Sequence, residues 1–259
     1  MAVLIFGSAK GSPGVTTTVL ALAAIWPQDR EPFVFEGDPA GGDIVARLAS
    51  LEGDSGGLRD APSTVQLAAA SRRGLNAITL MEHAQRLPGI GEVRALVSPP
   101  SAFAASMALG ELVNADIAGH LAALTTHDVL LDAGSVHPGS PTLALLRAAR
   151  WLHVIARPSL ESILHTRELV GSLSGMGVRC GVVVVGDRPY SPLDVAEATG
   201  APLVGSLPFD PVGAAALAGE ARNPKILGRS RLVRSAAVLA QSLVVEPVSP
   251  ITEPIGANQ

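Results

Sequence analysis

The sequence predicts an α/β protein: a single doubly wound, mainly parallel sheet with helices on both faces. Three observations predict it. Short apolar runs alternate with helical stretches along the whole chain. The first run, Val3 to Phe6, passes through a Gly/Ser/Pro loop directly into an apolar helix beginning at Thr16. A later run, Asp128 to Asp132, is a short strand that ends in an acid and then glycine.

Composition bounds the reading. One domain is expected for 259 residues, over positions 1–245, with a tail at 246–259 that holds three prolines and is expected to be disordered. Mean hydropathy is +0.36, yet no apolar run reaches the roughly 18 residues of a membrane span. The N-terminus enters the first strand without a basic region, which argues against a signal peptide. The one cysteine, Cys180, beside a valine run, reads as a buried thiol and excludes a disulfide framework, so a cytoplasmic protein is expected. A net charge of −4 argues against a dedicated nucleic-acid binder.

The stretch from Lys10 to Thr17 carries the chemistry. Strand, glycine loop and helix N-terminus together make an anion site, because loop N–H groups and the positive end of the helix dipole face the ligand. Gly14 and Thr16 fit the pattern G-x-x-x-x-G-K-[ST], but Ala9 replaces its first glycine and Val15 its lysine. The chain has two lysines, Lys10 and Lys225, and one of them stands in this loop.

Lys10-Gly11-Ser12-Pro13-Gly14-Val15-Thr16-Thr17 resembles the deviant Walker A loop, K-G-G-x-G-K-T-T, of the ParA/MinD P-loop ATPases. Lys10 matches the family's signature lysine, which reaches the partner's nucleotide across a dimer. Gly11, Gly14, Thr16 and Thr17 match in register, Ser12 replaces a glycine and Val15 the second lysine. A similar loss occurs in the TadZ/CpaE pilus-assembly branch.

In order along the chain, Pro32 to Pro39 reads as a second strand ending in a polar turn, and Asp43 as the N-cap of a helix through about Ser50. Two readings of the acids here stay open. In a dinucleotide-binding fold Glu36 would hold a ribose. By the resemblance, Glu36-Gly37-Asp38-Pro39 matches the family's D-x-D-P segment, and Asp38 orients the attacking water. Residues 51–64 read as a loop, 64–73 as a helix, 77–83 as ambiguous and 91–100 as a strand stopped by two prolines. Residues 102–124 read as one long helical region broken near Gly110 or Gly119. Asp128 to Gly134 is a Walker B pattern in which Asp132 would hold Mg2+ through water, opposite Thr16, and 133–141 would be the loop that senses the γ-phosphate.

Residues 149–159 read as the next strand, with Pro158 and Ser162 matching the family's A-D-x-x-L-x-V-x-x-P-x-x-x-S segment and Arg150 replacing its acid. A helix follows from about Leu160 to Leu173, then a buried strand from Gly181 to Asp187. The family ends that strand with Asn-Arg near the adenine. Here Asp187-Arg188 stands in its place, so Asp187 either accepts from the adenine amino group or the contact is lost. Leu203 to Pro211 resembles the family's G-x-I-P-x-D segment, which puts Pro208 beside the base. The final helix is expected at 232–243. Arg222, Lys225, Arg229, Arg231 and Arg234 form the basic cluster, open to two readings: nonspecific DNA contact through phosphates, or a solvated helix face.

The resemblance implies a nucleotide switch: ATP and Mg2+ bound in loop 10–17, a homodimer closed on nucleotide, and an unknown protein partner. Such proteins position chromosomes, division sites, pili or secretion machines, some recruited to nucleoid or membrane machinery. Val15 points to slow hydrolysis, because losing a charge-assisted phosphate contact costs on the order of 1.5–3 kcal/mol. The competing expectation is a pseudo-ATPase scaffold that recruits partners without hydrolysis.

Overall fold

The computed structural model describes residues 2–27, 29–48, 58–149, 151–220 and 228–245. Eight strands form one sheet in the order β3-β4-β2-β5-β1-β6-β7-β8. They are β1 (Val3–Ser8), β2 (Glu31–Glu36), β3 (Gln85–Arg86), β4 (Arg94–Leu96), β5 (His127–Ser135), β6 (Leu152–Ala156), β7 (Cys180–Val185) and β8 (Leu203–Leu207). All pairings are parallel except that of β3 with β4 at the edge.

Strand periodicity explains the layers. Side chains of a strand alternate between faces, and a parallel sheet covered on both sides is apolar on both. Val3 and Ile5 of β1 accordingly join one core cluster, while Leu4 and Phe6 join the other. The first cluster gathers Leu67, Leu80, Leu112, Ile117, Leu145 and Leu173 from helices on that face. These are α3 (Thr64–Ser71), α4 (Ala77–His83), α5 (Ala102–Asn114), α6 (Ile117–Ala122), a 3₁₀ helix (Pro141–Ala148) and α7 (Leu160–Gly175), with α8 (Pro192–Thr199) beside them. The opposite face is covered by α1 (Val15–Ala24), α2 (Ile44–Leu48), α9 (Pro211–Leu217) and the last helix, α10 (Arg231–Val245). Cys180 is buried at the start of β7, where burial pushes its thiol up to about 11.

Several sequence expectations need correction. The region 102–124 is two helices that part at Asp116, not at either glycine. Asp116 takes left-handed backbone (φ +55°), and its carboxylate fills the space that a Cβ on Gly119 would need. The strand expected over 91–100 shrinks to Arg94–Leu96, and the ambiguous stretch 77–83 is a helix whose N-cap, Asn76, accepts from Thr79 N–H at 2.9 Å. β5 runs on to Ser135, and the loop beyond it ends in the 3₁₀ helix. The expected helix end at Ser50, Arg150, Arg222, Lys225 and the tail 246–259 lie outside the described residues.

At the N-terminal end of the sheet, buried Asp128 accepts from Ala2 N–H at 2.6 Å, Trp26 Nε1 at 3.0 Å and the Arg30 guanidinium. These bonds hold its carboxyl below the usual range even though burial pushes the other way. One side chain thereby ties the first strand, the end of α1 and the approach to β2 to the central strand. Among the described residues no helix is long and apolar enough to cross a membrane.

Candidate functional site

The C-terminal ends of β1, β5 and β2 lie side by side, with β5 in the middle. In an open sheet of this kind ligands collect at that edge, near the point where strand order reverses. The loop after β1 leads into α1, whose N-cap is Gly14 (φ +111°). α3, α5, α7, α8 and α9 each have a Ser or Asp side chain accepting an N-terminal amide. α1 has none, and no acid in its first turn. Its free amides and dipole therefore remain available to an anion.

Thr16, one residue into α1, places its hydroxyl close to the carboxylate of Asp132 in the last half of β5, where it favours the charged form. Asp132 is 1% exposed and also accepts from Gly134 N–H at 2.9 Å. Burial pushes its pKa up to about 6, the Thr16 hydroxyl and Gly134 amide oppose this, and the charge of Asp38 adds to it. A carboxylate and a hydroxyl held together at a desolvated spot are hard oxygen donors, and a divalent cation there would relieve the charge burial disfavours. The residues present therefore fit Mg2+.

Asp38 lies on the other side of Asp132. Its carboxylate accepts from Ala40 N–H at 2.8 Å, an Asx-type turn, and abuts Gly134. Burial, with the charge of Asp43, raises its pKa. Gly37 N–H donates to Asp132 C=O at 2.7 Å, so the turn bearing Asp38 is tied to the strand bearing Asp132.

Glu36 is not free to hold a ribose. It is 1% exposed, with one carboxylate oxygen taken by Asp43 N–H (2.6 Å) and Ile44 N–H (2.8 Å) and the other by Ser98 N–H (2.8 Å). Burial pushes it up to about 7 against those three bonds. Glu36 thus caps α2, the task expected of Asp43, whose own carboxylate meets Arg47 at 3.3 Å.

The rest of the loop divides by exposure. Lys10, Gly11 and Ser12 are exposed, whereas Pro13 is buried. Val15 is 6% exposed and joins the apolar cluster beneath α1. Pro13, Gly14 and Thr17 line a small cavity of about 80 Å³ together with Arg157, Pro208 and Phe209. Pro208 also borders a larger cavity of about 500 Å³ that Asp187, Arg188, Ser206 and Arg231 line. Asp187 and Pro208 are therefore together, one wall away from the loop. Arg157 and Phe209 did not emerge from the sequence, although each adjoins a motif proline. Their side chains stack, guanidinium to ring centroid at 4.9 Å. Next to Phe209, Asp210 accepts from Gly213 N–H, Ser230 Oγ and Leu232 N–H, binding the starts of α9 and α10. Of the basic cluster, Arg229, Arg231 and Arg234 are described and exposed.

No protein-family model and no curated protein sequence matches this chain. Solved structures do. A ParA family ATPase from Chlorobium tepidum superposes with a TM-score of 0.72 at 18% identity, over 93% of this chain and 99% of that one. The Mg-ADP complex of the septum site-determining protein MinD from Pyrococcus horikoshii gives 0.66 at 17%, over 94% and 96%. The ATP complex of Cyanothece McdA gives 0.66 at 17%, over 96% and 98%. The chain has the α/β fold of the ParA/MinD ATPases.

Proposed function

We propose that this protein is a nucleotide-dependent switch that binds ATP with Mg2+ in loop 10–17, dimerises on doing so, and positions or partitions a cellular structure. The observation that carries the reading is the Thr16 hydroxyl paired with buried Asp132 at the foot of an uncapped helix N-terminus, with Asp38 alongside. The fold neighbours complexed with Mg-ADP and ATP support the choice of ligand.

Each residue has a task on this reading. The backbone N–H groups of Gly11, Ser12 and Gly14 to Thr17 and the α1 dipole bind the phosphates. Thr16 and Asp132 would hold Mg2+, which supplies neutralisation of phosphate charge when bound. Asp38, immobilised by Ala40 and Gly134, orients the attacking water. Exposed Lys10 reaches outward to the nucleotide of a second subunit. Asp187 and Pro208 meet the base, and the loop retains Gly11, Ser12, Pro13 and Gly14 around the phosphates. Val15 offers no charge to them, so hydrolysis is slow.

One observation favours the pseudo-ATPase scaffold: Val15 is packed into the apolar layer, where it contributes to stability and not to chemistry. Light scattering on the eluting protein separates the two, with Mg2+ alone and then with Mg2+ and a non-hydrolysable ATP analogue. A nucleotide-driven doubling of mass that Lys10→Ala abolishes is the switch. A mass indifferent to nucleotide, with no calorimetric heat of binding, rejects it.

A further inference from the structure

The site collects acid. Asp38, Asp43 and Asp132 lie within one another's fields in a chain, Asp43 acting on Asp38 and Asp38 on Asp132. An incoming triphosphate would add charge of the same sign, and the residue that normally answers it is valine here. The chain must find a cation elsewhere. Lys10 stands exposed at the rim, and the guanidinium of Arg157 is occupied by the Phe209 ring on the base side.

Arg47 remains, and its environment is unusual. It sits on α2, directly after the turn that carries Asp38. Buried Ile44 and Leu48 fix the rotation of that helix, and the Glu36 bonds to Asp43 and Ile44 fix its start. The Arg47 Nε is buried and has no hydrogen-bond partner. A buried N–H left unpaired costs about 1–3 kcal/mol, and such groups in folded proteins call for a partner. Among the described residues its guanidinium pairs only with Asp43, Nη2 to carboxylate at 3.3 Å, and the Asp43 side chain is 63% exposed. A pair of that kind holds weakly and is given up at little cost.

We propose that Arg47 is the cis cation for the terminal phosphate, replacing the charge that Val15 withdrew. A guanidinium presents two parallel N–H groups to phosphate oxygens, so a phosphate would satisfy Nε together with one terminal nitrogen. Its position on α2 makes the contact specific to the end of the nucleotide nearest Asp38. The inference rests on the nucleotide-binding reading above.

Calorimetry tests it with full-length protein, Mg2+ and either ATPγS or ADP, on the natural chain, Arg47→Ala, Arg47→Lys and Arg47→Ala combined with Val15→Lys. The expected result is that Arg47→Ala lowers triphosphate affinity about tenfold or more while diphosphate affinity changes about twofold or less. Arg47→Lys retains part of the preference, and Val15→Lys restores it in the Arg47→Ala background. If Arg47→Ala, or Arg47→Gln should the alanine variant melt early, keeps the natural triphosphate-to-diphosphate ratio, the role of Arg47 is refuted while nucleotide binding stands. If the natural chain binds neither nucleotide, both fall together.

Discussion

The carboxylate of Asp38 rests so closely against Gly134 that a Cβ at position 134 would overlap it. Two segments almost a hundred residues apart in sequence therefore share one small space beside Asp132.

Gly134→Ala should disturb Asp38, the acid proposed to position water, before anything else. The substitution meets left-handed backbone (φ +59°) and the Asp38 side chain together. Stability should fall by about 1–3 kcal/mol, and phosphate release should slow about tenfold or more through the displacement of Asp38. Nucleotide affinity should change far less. Denaturant melts and a phosphate-release assay check both, and unchanged release would dissociate Asp38 from hydrolysis.

Thr16→Val keeps the shape of the side chain and removes its hydroxyl. Asp132 then loses a hydroxyl neighbour that favours its charged form, so its pKa rises further above the ordinary range. The gain in nucleotide affinity that Mg2+ brings should shrink about tenfold. Titrations with Mg2+ and with EDTA measure that gain, and an unaltered one would remove Thr16 from the metal site.

Glu36 makes stability depend on pH in a definite direction. Its native pKa of about 7 lies above its ordinary 4.5, so between those values the folded chain holds a proton that the unfolded chain has released. That contribution is complete at the acid end of the window and disappears as pH rises through about 7. Asp132 acts in the same direction up to about 6, and His153, held near 4 by burial in the sheet, acts in the opposite one. Glu36→Gln removes only the first. Melting temperatures of both proteins from pH 4.5 to 7.5 should show the difference between them changing with pH, and a constant difference would contradict the assignment.

Asp128→Ala removes the shared acceptor of Ala2, Trp26 and Arg30. The loss of one partner from a buried, charge-assisted cluster costs about 3 kcal/mol. The carboxyl is held below 3.8, so its contribution is present at neutral pH and fades as the solution is acidified toward and below that value. Because Asp128 stands at the start of β5 and the proposed site lies at its other end, the folded fraction should keep the nucleotide affinity proposed above. Chemical denaturation and calorimetry on one preparation test both parts.

What could be read from the sequence was local. β1, the glycine loop and α1 are contiguous, and their hydrophobic period changes from two to helical within a few residues. Asp38 follows β2 and Asp132 lies in the last half of neighbouring β5, so their placement at one sheet edge follows from parallel topology. What escaped was decided by distant partners. β3 and β4 are two and three residues long and exist through pairing with each other and with β2. Glu36 reads as a ligand residue until Ser98, 62 positions away, is brought to it. The break at Asp116 rests on a non-glycine residue in left-handed backbone, for which sequence gives weak notice. Arg47 sits on a helix of five residues and belongs to no motif.

Gly41 and Gly42 have a consequence for timing. A side chain on Gly41 would strike the carbonyl of Pro100 and one on Gly42 that of Ser98, Gly42 N–H is bonded to Pro99 C=O at 2.8 Å, and Glu36 ties the far end of the turn, at Asp43 and Ile44, to Ser98. The turn that bears Asp38 therefore has no slack to take up when a ligand arrives. Its ordering cost is met when the chain folds, so on the proposed reading the acid is in place before a ligand arrives. Whatever motion accompanies nucleotide exchange must come from the subunit as a whole or from the exposed rim at Lys10, not from this wall.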